Sequence, residues 1–289
     1  MSAAPILVTG ATGRLGQLVV QRLSALGQLV RVFTRRPEIA RNFFGSSVQI
    51  ATGDFGDRTS LGTALAGVER LFLLSPIGER LAEEQITVVN AAISAGVHRI
   101  VKISGSDWTI EPSGSSISGD AHAAVERHLK GLPAEHVSLR PNAWMQVSLA
   151  NIIKQVLAGN PVNTVNPDAG IGYIDARDIA DIAVHQLLAD TIAGEKLVLS
   201  GPRVVTARQI AALLSLALKR PVEVTERLRL AASSNEDFEH RAVAQFMTLI
   251  AAGRAAGTTD VVATLLGNPP RSFEAFIGEY LATEAALAG

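Results

Sequence analysis

The sequence predicts an α/β protein, a doubly wound parallel sheet wrapped by helices and joined to a small, mostly helical C-terminal lobe. Three observations predict it. Short apolar runs alternate with helical periodicities through the first half of the chain, the pattern of strands joined by crossover helices. The first run, Ile6-Leu7-Val8-Thr9, passes straight into a glycine-punctuated turn, Gly10-Ala11-Thr12-Gly13-Arg14-Leu15-Gly16. Behind it Leu15, Leu18, Val19, Leu23 and Leu26 recur at helical spacing, so the glycines mark a strand-to-helix junction.

The remaining elements follow in order. A second strand is predicted at Leu29–Thr34, a helix near Ala40, a third strand at Val48–Ala51 and a helix from about Ser60. The fourth strand, Arg70–Leu74, precedes a helix carrying Ile86, Val89 and Ile93 that Gly96 ends. Arg99–Ile103 and Val137–Arg140 read as the fifth and sixth strands, the latter stopped by Pro141. Right-handed crossovers place a ligand at the carboxyl ends of such strands.

Side-chain-free positions in the opening turn let backbone approach a phosphate, and the N–H groups and dipole of the following helix stabilise its charge. The turn is therefore read as a Rossmann-type dinucleotide cradle, with Thr9, Gly10, Thr12, Gly13, Arg14, Leu15 and Gly16 as its cofactor-binding residues. Its spacing is GxxGxxG, which resembles the short-chain dehydrogenase/reductase version of the motif. At the end of the second strand an acid would bond the ribose 2'-hydroxyl of NAD, whereas a cation accommodates the extra phosphate of NADP. Here the chain supplies Arg35 and Arg36, besides Arg14 in the turn. NADP(H) is expected to be preferred, with NAD(H) possible; the alternative is that Arg35 and Arg36 are solvated residues ahead of Pro37.

Position selects further candidates. Asp54 follows the third strand, where it faces the adenine or bonds its own turn, and Ser75 and Pro76 end the fourth beside the ribose and nicotinamide. Lys102 and Ser104, two apart on the fifth strand, share one face. Lys102 is either a ribose ligand or a solvated strand-end lysine.

Bulk properties narrow the class. The 289 residues are 47% hydrophobic with a formal net charge of −1, which argues against nonspecific nucleic-acid binding. No cysteine is present, so disulfides and thiolate chemistry are excluded, and the six histidines include no pair at HExxH-type spacing, so no metal is expected. The chain lacks a recognisable leader and any apolar run of membrane-spanning length, so a soluble, cytoplasmic protein is expected, a monomer or homodimer.

Several segments together resemble the NmrA-like group of atypical short-chain reductases: the glycine turn, Gly96–Ser104, His136–Met145, Gly172–Ala180, and Leu199–Pro202 followed by Thr206. The resemblance implies this fold and an NAD(P)H-dependent activity, since the group includes quinone, triphenylmethane-dye and azo reductases, and also regulators that sense the nucleotide without catalysis. Related enzymes use a YxxxK pair, and extended members often carry a glutamate four residues after the lysine. Setting Glu126 on that glutamate puts Ser118 at the tyrosine position and His122 at the lysine position. The only tyrosines are Tyr173 and Tyr280. His122 and Lys102 are thus the candidate catalytic residues, the alternative for His122 being a partly exposed helical histidine.

Loss of a positioned acid disfavours simple ketone reduction and favours acceptors that spread charge over a π-system. A quinone, azo or dye-like compound is therefore the expected substrate. The alternatives are a noncatalytic NADP(H) sensor and a biosynthetic imine or carbonyl reductase. Asn142, Trp144 and Met145 after the sixth strand are candidate substrate-wall residues, Met145 also reading as core. Asp175 and Asp178 read as a helix N-terminus. Residues 1–150 are expected to form the nucleotide-binding domain, with an added strand near 172–200, and 151–289 mainly an interleaved substrate lobe. Within the lobe, a helix from Thr206 stops at Pro221, residues 229–266 read as mainly helical with Phe238 and Phe246 facing a pocket, and Phe273 begins a last helix.

Overall fold

The computed structural model describes residues 4–226 and 237–288. In chain order the elements are β1 (Ile6–Thr9), α1 (Arg14–Ala25), β2 (Val30–Thr34), α2 (Pro37–Phe44), β3 (Gln49–Thr52), α3 (Arg58–Leu65), β4 (Arg70–Leu73), α4 (Leu81–Ser94) and β5 (Arg99–Ile103). A short α5 (Asp107–Ile110), α6 (Ile117–Lys130) and β6 (Glu135–Pro141) follow. After a π-helical turn at Met145–Leu149 come α7 (Ala150–Leu157), β7 (Val162–Thr164), β8 (Gly170–Ile171), α8 (Ala176–Leu188), β9 (Lys196–Leu199) and β10 (Val205–Thr206). The remainder is α9 (Ala207–Leu218), β11 (Val224–Glu226), α10 (Phe238–Ala251), α11 (Val261–Leu266) and α12 (Phe273–Ala288).

Seven strands form one parallel sheet in the order β3-β2-β1-β4-β5-β6-β9. The chain winds outward from β1 to β3, then crosses back to β4 and proceeds the other way. The order therefore reverses between β1 and β4, and a doubly wound sheet opens a crevice at the carboxyl ends of such a pair. Strands β1 and β4 are near-continuous apolar runs and β5 is buried along its whole length, as in a sheet covered on both faces. Leu7, Leu71, Leu73 and Ile100 pack with Leu61 and Leu65 of α3 and Val88 and Val89 of α4 in one core cluster. Leu26 departs from the predicted helical stripe: it lies one residue beyond α1 and is 58% exposed.

The chain divides into two compact units, Met1–Gly105 with Ser118–Arg140 and Ile179–Leu197, and Ser106–Ile117 with Pro141–Asp178 and Val198–Gly289. In the first, the buried guanidinium of Arg99 closes the carboxyl end of α8. Its donors reach the carbonyls of Ala189 and Asp190 (3.1 Å for Asp190) and the Glu135 carboxylate (2.6 Å). In the second, Met145, Leu149, Ile153, Ile210, Leu214, Phe273 and Ile277 form their own core. The predicted helical stretch 229–266 contains α10 and α11; its portion 229–236 lies outside the described residues.

Local chemistry sets the element ends. Gly96 takes φ +87° after α4, a conformation that costs glycine little. Asp175 Oδ1 accepts from the Arg177 N–H (2.8 Å) at the start of α8. At the start of α9, Thr206 accepts from Gln209 N–H (3.3 Å) while the Gln209 side chain accepts from Thr206 N–H (3.0 Å), a reciprocal cap. Thr206→Ala is expected to lower the unfolding free energy by about 1 kcal/mol. A urea titration checks it as a reduced midpoint at unchanged slope.

Candidate active site

The turn between β1 and α1 lies where the strand order reverses. Gly10 has φ +63°, and a Cβ there would stand 2.9 Å from both the side chain and the carbonyl of Leu74. A Cβ on Gly16 would fall 2.2 Å from the Gly10 carbonyl oxygen and 2.7 Å from Ala11 Cα. Both glycines are thus required by close packing of the turn against β4 and α1. Gly13 is the exposed one; it stands at the helix N-cap, where no side chain caps α1 and no acid occupies the first turn. Uncapped first-turn amides, a positive dipole end and glycine backbone suit an anion, so the residues present fit a pyrophosphate.

The predicted cradle residues divide by what they touch. Thr9 is buried, and its hydroxyl accepts from Leu74 N–H (2.8 Å) and donates to Leu74 O (2.8 Å). Its side chain ties the diverging strands together and is not a phosphate ligand. Leu15 likewise sends its side chain into the core, leaving only backbone for the turn. Thr12 is half-buried, with Oγ1 3.5 Å from Arg36 Nη2, so Arg36 reaches back over the turn. Arg14 is exposed at the first helical position.

Arg35 points instead toward Asp54, 3.7 Å away, and both side chains are largely exposed. Asp54 also accepts from Gly56 N–H (2.9 Å), the turn bond expected of it. At the end of β4, Ser75 Oγ accepts from the buried Gln85 amide (2.8 Å) and donates to Pro76 O (3.2 Å), while Pro76 is exposed. Gln85 was not legible as a site residue, because a single glutamine on a helix face announces no partner.

The strongest polar assembly sits at the ends of β5 and β6 under α6. The register Lys102↔Ser138 and Ile103↔Leu139 sets Arg140 beside Ser104, on the face that carries Lys102. On α6, His122 and Glu126 are four apart and face the same way. Arg140 holds the Glu126 carboxylate through two nitrogens, Nε to Oε1 at 3.1 Å and Nη2 to Oε2. Ser104 Oγ donates to Glu126 Oε1 (2.6 Å). Lys102 Nζ contacts Ile103 O (3.1 Å), Ser104 Oγ (3.1 Å) and His122 Nδ1 (3.0 Å).

Both sequence expectations for Lys102 change. It is completely buried, so it is no solvated lysine, and its three ammonium donors are all engaged within the protein, so none remains for a ribose hydroxyl. Ser104 is similarly committed, donating to Glu126 and accepting from Lys102. His122 is buried too, at 6% exposure, not the partly exposed histidine that helical position alone suggests.

Burial shapes the charges. Desolvation brings the Lys102 ammonium down to about 7; Glu126 opposes that shift, while Arg140 adds to it. Desolvation and the Lys102 charge push His122 well below its ordinary range, so its imidazole is neutral. Burial raises Glu126, but hydrogen bonds from Arg140 and Ser104, with the charges of Arg140 and Lys102, outweigh it and hold the carboxyl below its usual value. Arg140 was the residue sequence reasoning missed. Its signal was a cation inside the buried-type run Val137-Ser138-Leu139-Arg140, which demands an internal acid.

The proposed wall residues belong to the second unit, where two of them are structural. Asn142 is buried; its oxygen accepts from Trp108 Nε1 (3.0 Å) and Ala143 N–H (2.7 Å), and its amide donates to the Ala255 (2.9 Å) and Gly257 (3.3 Å) carbonyls. Met145 lies in that unit's core. Trp144 is half-buried and paired through its backbone with Ile174. Phe246 packs on Trp108 with ring centroids 4.6 Å apart, and Phe238 is half-buried. Tyr173 is buried with its hydroxyl pushed upward by desolvation, which removes it as an acid.

The NmrA-like family model matches residues 2–248. The chain belongs to the NmrA-like family. A relative from Streptomyces griseus subsp. griseus, (4-alkanoyl-5-oxo-2,5-dihydrofuran-3-yl)methyl phosphate reductase, is 31% identical over 281 residues, 95% of this chain and 97% of that protein. The NAD(P)H azoreductase of Xenophilus azovorans is 28% identical over 294 residues, covering 97% and 99% of the two chains. Among solved structures, the NADPH-dependent quinone oxidoreductase of Escherichia coli, complexed with NADPH, superposes with TM-score 0.83 at 23% identity, covering 96% of this chain and 99% of that one. At that identity the likeness shows the fold. Within the family's frame, α6 of this chain carries no tyrosine and sets His122 against Lys102. Among the described residues no group of three or more His, Cys, Asp or Glu side chains is arranged to hold a metal, and no helix is long and apolar enough to cross a membrane.

The buried lysine has a thermodynamic consequence. Folded Lys102 loses its proton near 7, whereas an unfolded lysine keeps it to about 10.4. Between those values the unfolded chain binds more protons, so this residue makes stability rise with pH. Lys102→Met is expected to flatten the rise in unfolding free energy over this window, checked by urea titrations at several pH values.

Proposed function

We propose that this chain is an NADPH-preferring reductase that reduces a planar, electron-poor acceptor such as a quinone, an azo compound or a conjugated dye cation. It is an enzyme, an NAD(P)H-dependent oxidoreductase, acting on a small molecule. The observation that carries the reading is α6: it lacks tyrosine and instead buries a neutral histidine against a lysine, beneath a sheet whose reversal point bears a glycine cradle. The names of the two relatives and of the superposed structure, all reductases, support it.

When bound, the nicotinamide supplies the hydride. The first-turn amides of α1 hold the pyrophosphate, and Arg36, reaching over the turn at Thr12, meets the 2'-phosphate with Arg14 and Arg35 nearby. Arg35 is less available because Asp54 faces it. His122 is the proton donor. An acceptor that delocalises the arriving electron pair needs no strong acid or oxyanion clamp at the moment of transfer, and orientation then supplies much of the rate.

The cation assignment predicts selective loss. Arg36→Ala is expected to weaken NADPH binding by roughly tenfold to a hundredfold, the equivalent of about 1.5 to 3 kcal/mol for a charge-assisted bond, while NADH binding changes little. Equal losses for the two nucleotides in a fluorescence titration would remove Arg36 from the phosphate site. The reaction itself is tested by following nicotinamide absorbance with NADPH and a panel of quinones, azo dyes, triphenylmethane dyes, ketones and imines. Turnover confined to the first three classes is expected. Tight NADPH binding without turnover of any acceptor would identify a sensor, and preferential turnover of imines or ketones a biosynthetic reductase.

A further inference from the structure

The side chains around Lys102 form a line rather than an isolated pair. Ser104 gives its proton to Glu126 and so presents a lone pair to Lys102, which in turn reaches His122 Nδ1. An ammonium has no lone pair, so while Lys102 is charged, Nδ1 is the acceptor and the ring proton sits on Nε2. Nε2 bonds to no other described residue. A lysine amine accepts as well as donates, so removal of one proton from Lys102 lets Nδ1 carry the hydrogen instead. Facing this pair are Glu126 on α6 itself, Arg140 from β6 and the Ser104 hydroxyl from β5.

We infer that Lys102 and His122 form a two-station proton shuttle, held in register by Ser104 and the Glu126–Arg140 pair, which delivers the proton that completes reduction of the acceptor. The inference rests on the reductase reading for its substrate. A neutral acceptor, a quinone or an azo compound, that has gained a hydride carries an extra electron pair and one negative charge, whereas a dye cation is neutralised by the hydride itself and draws no proton. The anion binds the proton of His122 Nε2, whose N–H bond breaks, while Nδ1 takes a proton from Lys102 and leaves it an amine. The reduced acceptor is then neutral, the imidazole stays neutral as its other tautomer, and the charge that disappears is that of Lys102. A solvent proton arriving at Nε2 reverses the relay, returning the Nδ1 proton to Lys102, so each turnover of a neutral acceptor consumes one solvent proton.

The charge balance suits this use. Glu126 is already neutralised by Arg140, so it supports the ammonium without competing for its proton. Because burial brings Lys102 to about 7, both stations are populated near neutral pH. The imidazole never needs to become a buried cation, which desolvation opposes.

The test follows the ring nitrogens of His122 by 15N NMR in the full-length protein, with and without NADP+, between pH 5.5 and 9.5, using His122→Asn to assign the signals. The expected result is the Nε2–H tautomer at low pH and a shift of proton density to Nδ1 centred near pH 7. Lys102→Met should abolish this transition. Ser104→Ala, which removes an acceptor from the ammonium while keeping both stations, should move its midpoint to lower pH. A ring pattern that does not change with pH, a transition that survives in Lys102→Met, or a midpoint unmoved by Ser104→Ala would each overturn the shuttle. In turnover with a quinone, His122→Asn should lower kcat by on the order of 10²-fold with KM for NADPH unchanged, and should abolish the solvent deuterium isotope effect. A full tautomer transition with no turnover of any acceptor would refute the reductase reading and the shuttle's catalytic use, while leaving the relay itself established.

Discussion

Where α1 packs onto the end of β1 there is no room for side chains, and the first unit is organised by that constraint. A Cβ on Gly16 would overlap the Gly10 carbonyl, and one on Gly10 would press on Leu74. With these positions bare, the turn lies flat against β4, and Thr9 can lock the two strands together through Leu74. The strands that separate at this point are the ones between which the sheet order reverses. The same tight geometry leaves Gly13 exposed and the first amides of α1 without a side-chain cap, so the packing solution also leaves backbone donors that fit an anion.

A second constraint operates two strands away, where the fold buries a lysine, a histidine, a glutamate and an arginine together. Such a group is tolerated only when its donors and acceptors match, since an unpaired buried charge costs several kcal/mol. Here they match in sequence: Arg140 grips Glu126, Glu126 takes the Ser104 proton, Ser104 takes one from Lys102, and Lys102 meets His122. The arrangement neutralises one acid with one arginine and leaves a single proton whose position is undecided. That property separates this helix from one bearing tyrosine and lysine, where a phenol would be the donor.

The second unit shows how the same polar vocabulary can be purely architectural. Asn142 follows the sixth strand at a position where a substrate contact was expected, yet its side-chain oxygen and amide serve Trp108, Ala143, Ala255 and Gly257. Asp175 is bound by the backbone and guanidinium of Arg177 and by Gln146, while Asp178 is held by Arg271. Removing water from these groups makes them structural cross-links, whatever their intrinsic chemistry.

The sequence by itself determined the order of the first six sheet strands, the glycine turn and the cationic end of β2, because each depends on periodicity, a positive φ or a local charge within a few residues. It also placed Lys102 and Ser104 on one strand face and set His122 and Glu126 on the helix after the fifth strand by the family resemblance. Only tertiary structure decided that these two pairs meet, that Arg140 joins them, and that Arg36 reaches the turn while Arg35 turns to Asp54. The reason is physical: desolvation and pairing depend on what lies opposite a side chain, and β5, α6 and β6 bring together residues up to 38 positions apart along the chain. Thr9, Lys102 and Asn142 show the difference most plainly, since a residue's type is local but its free donors are counted only after packing.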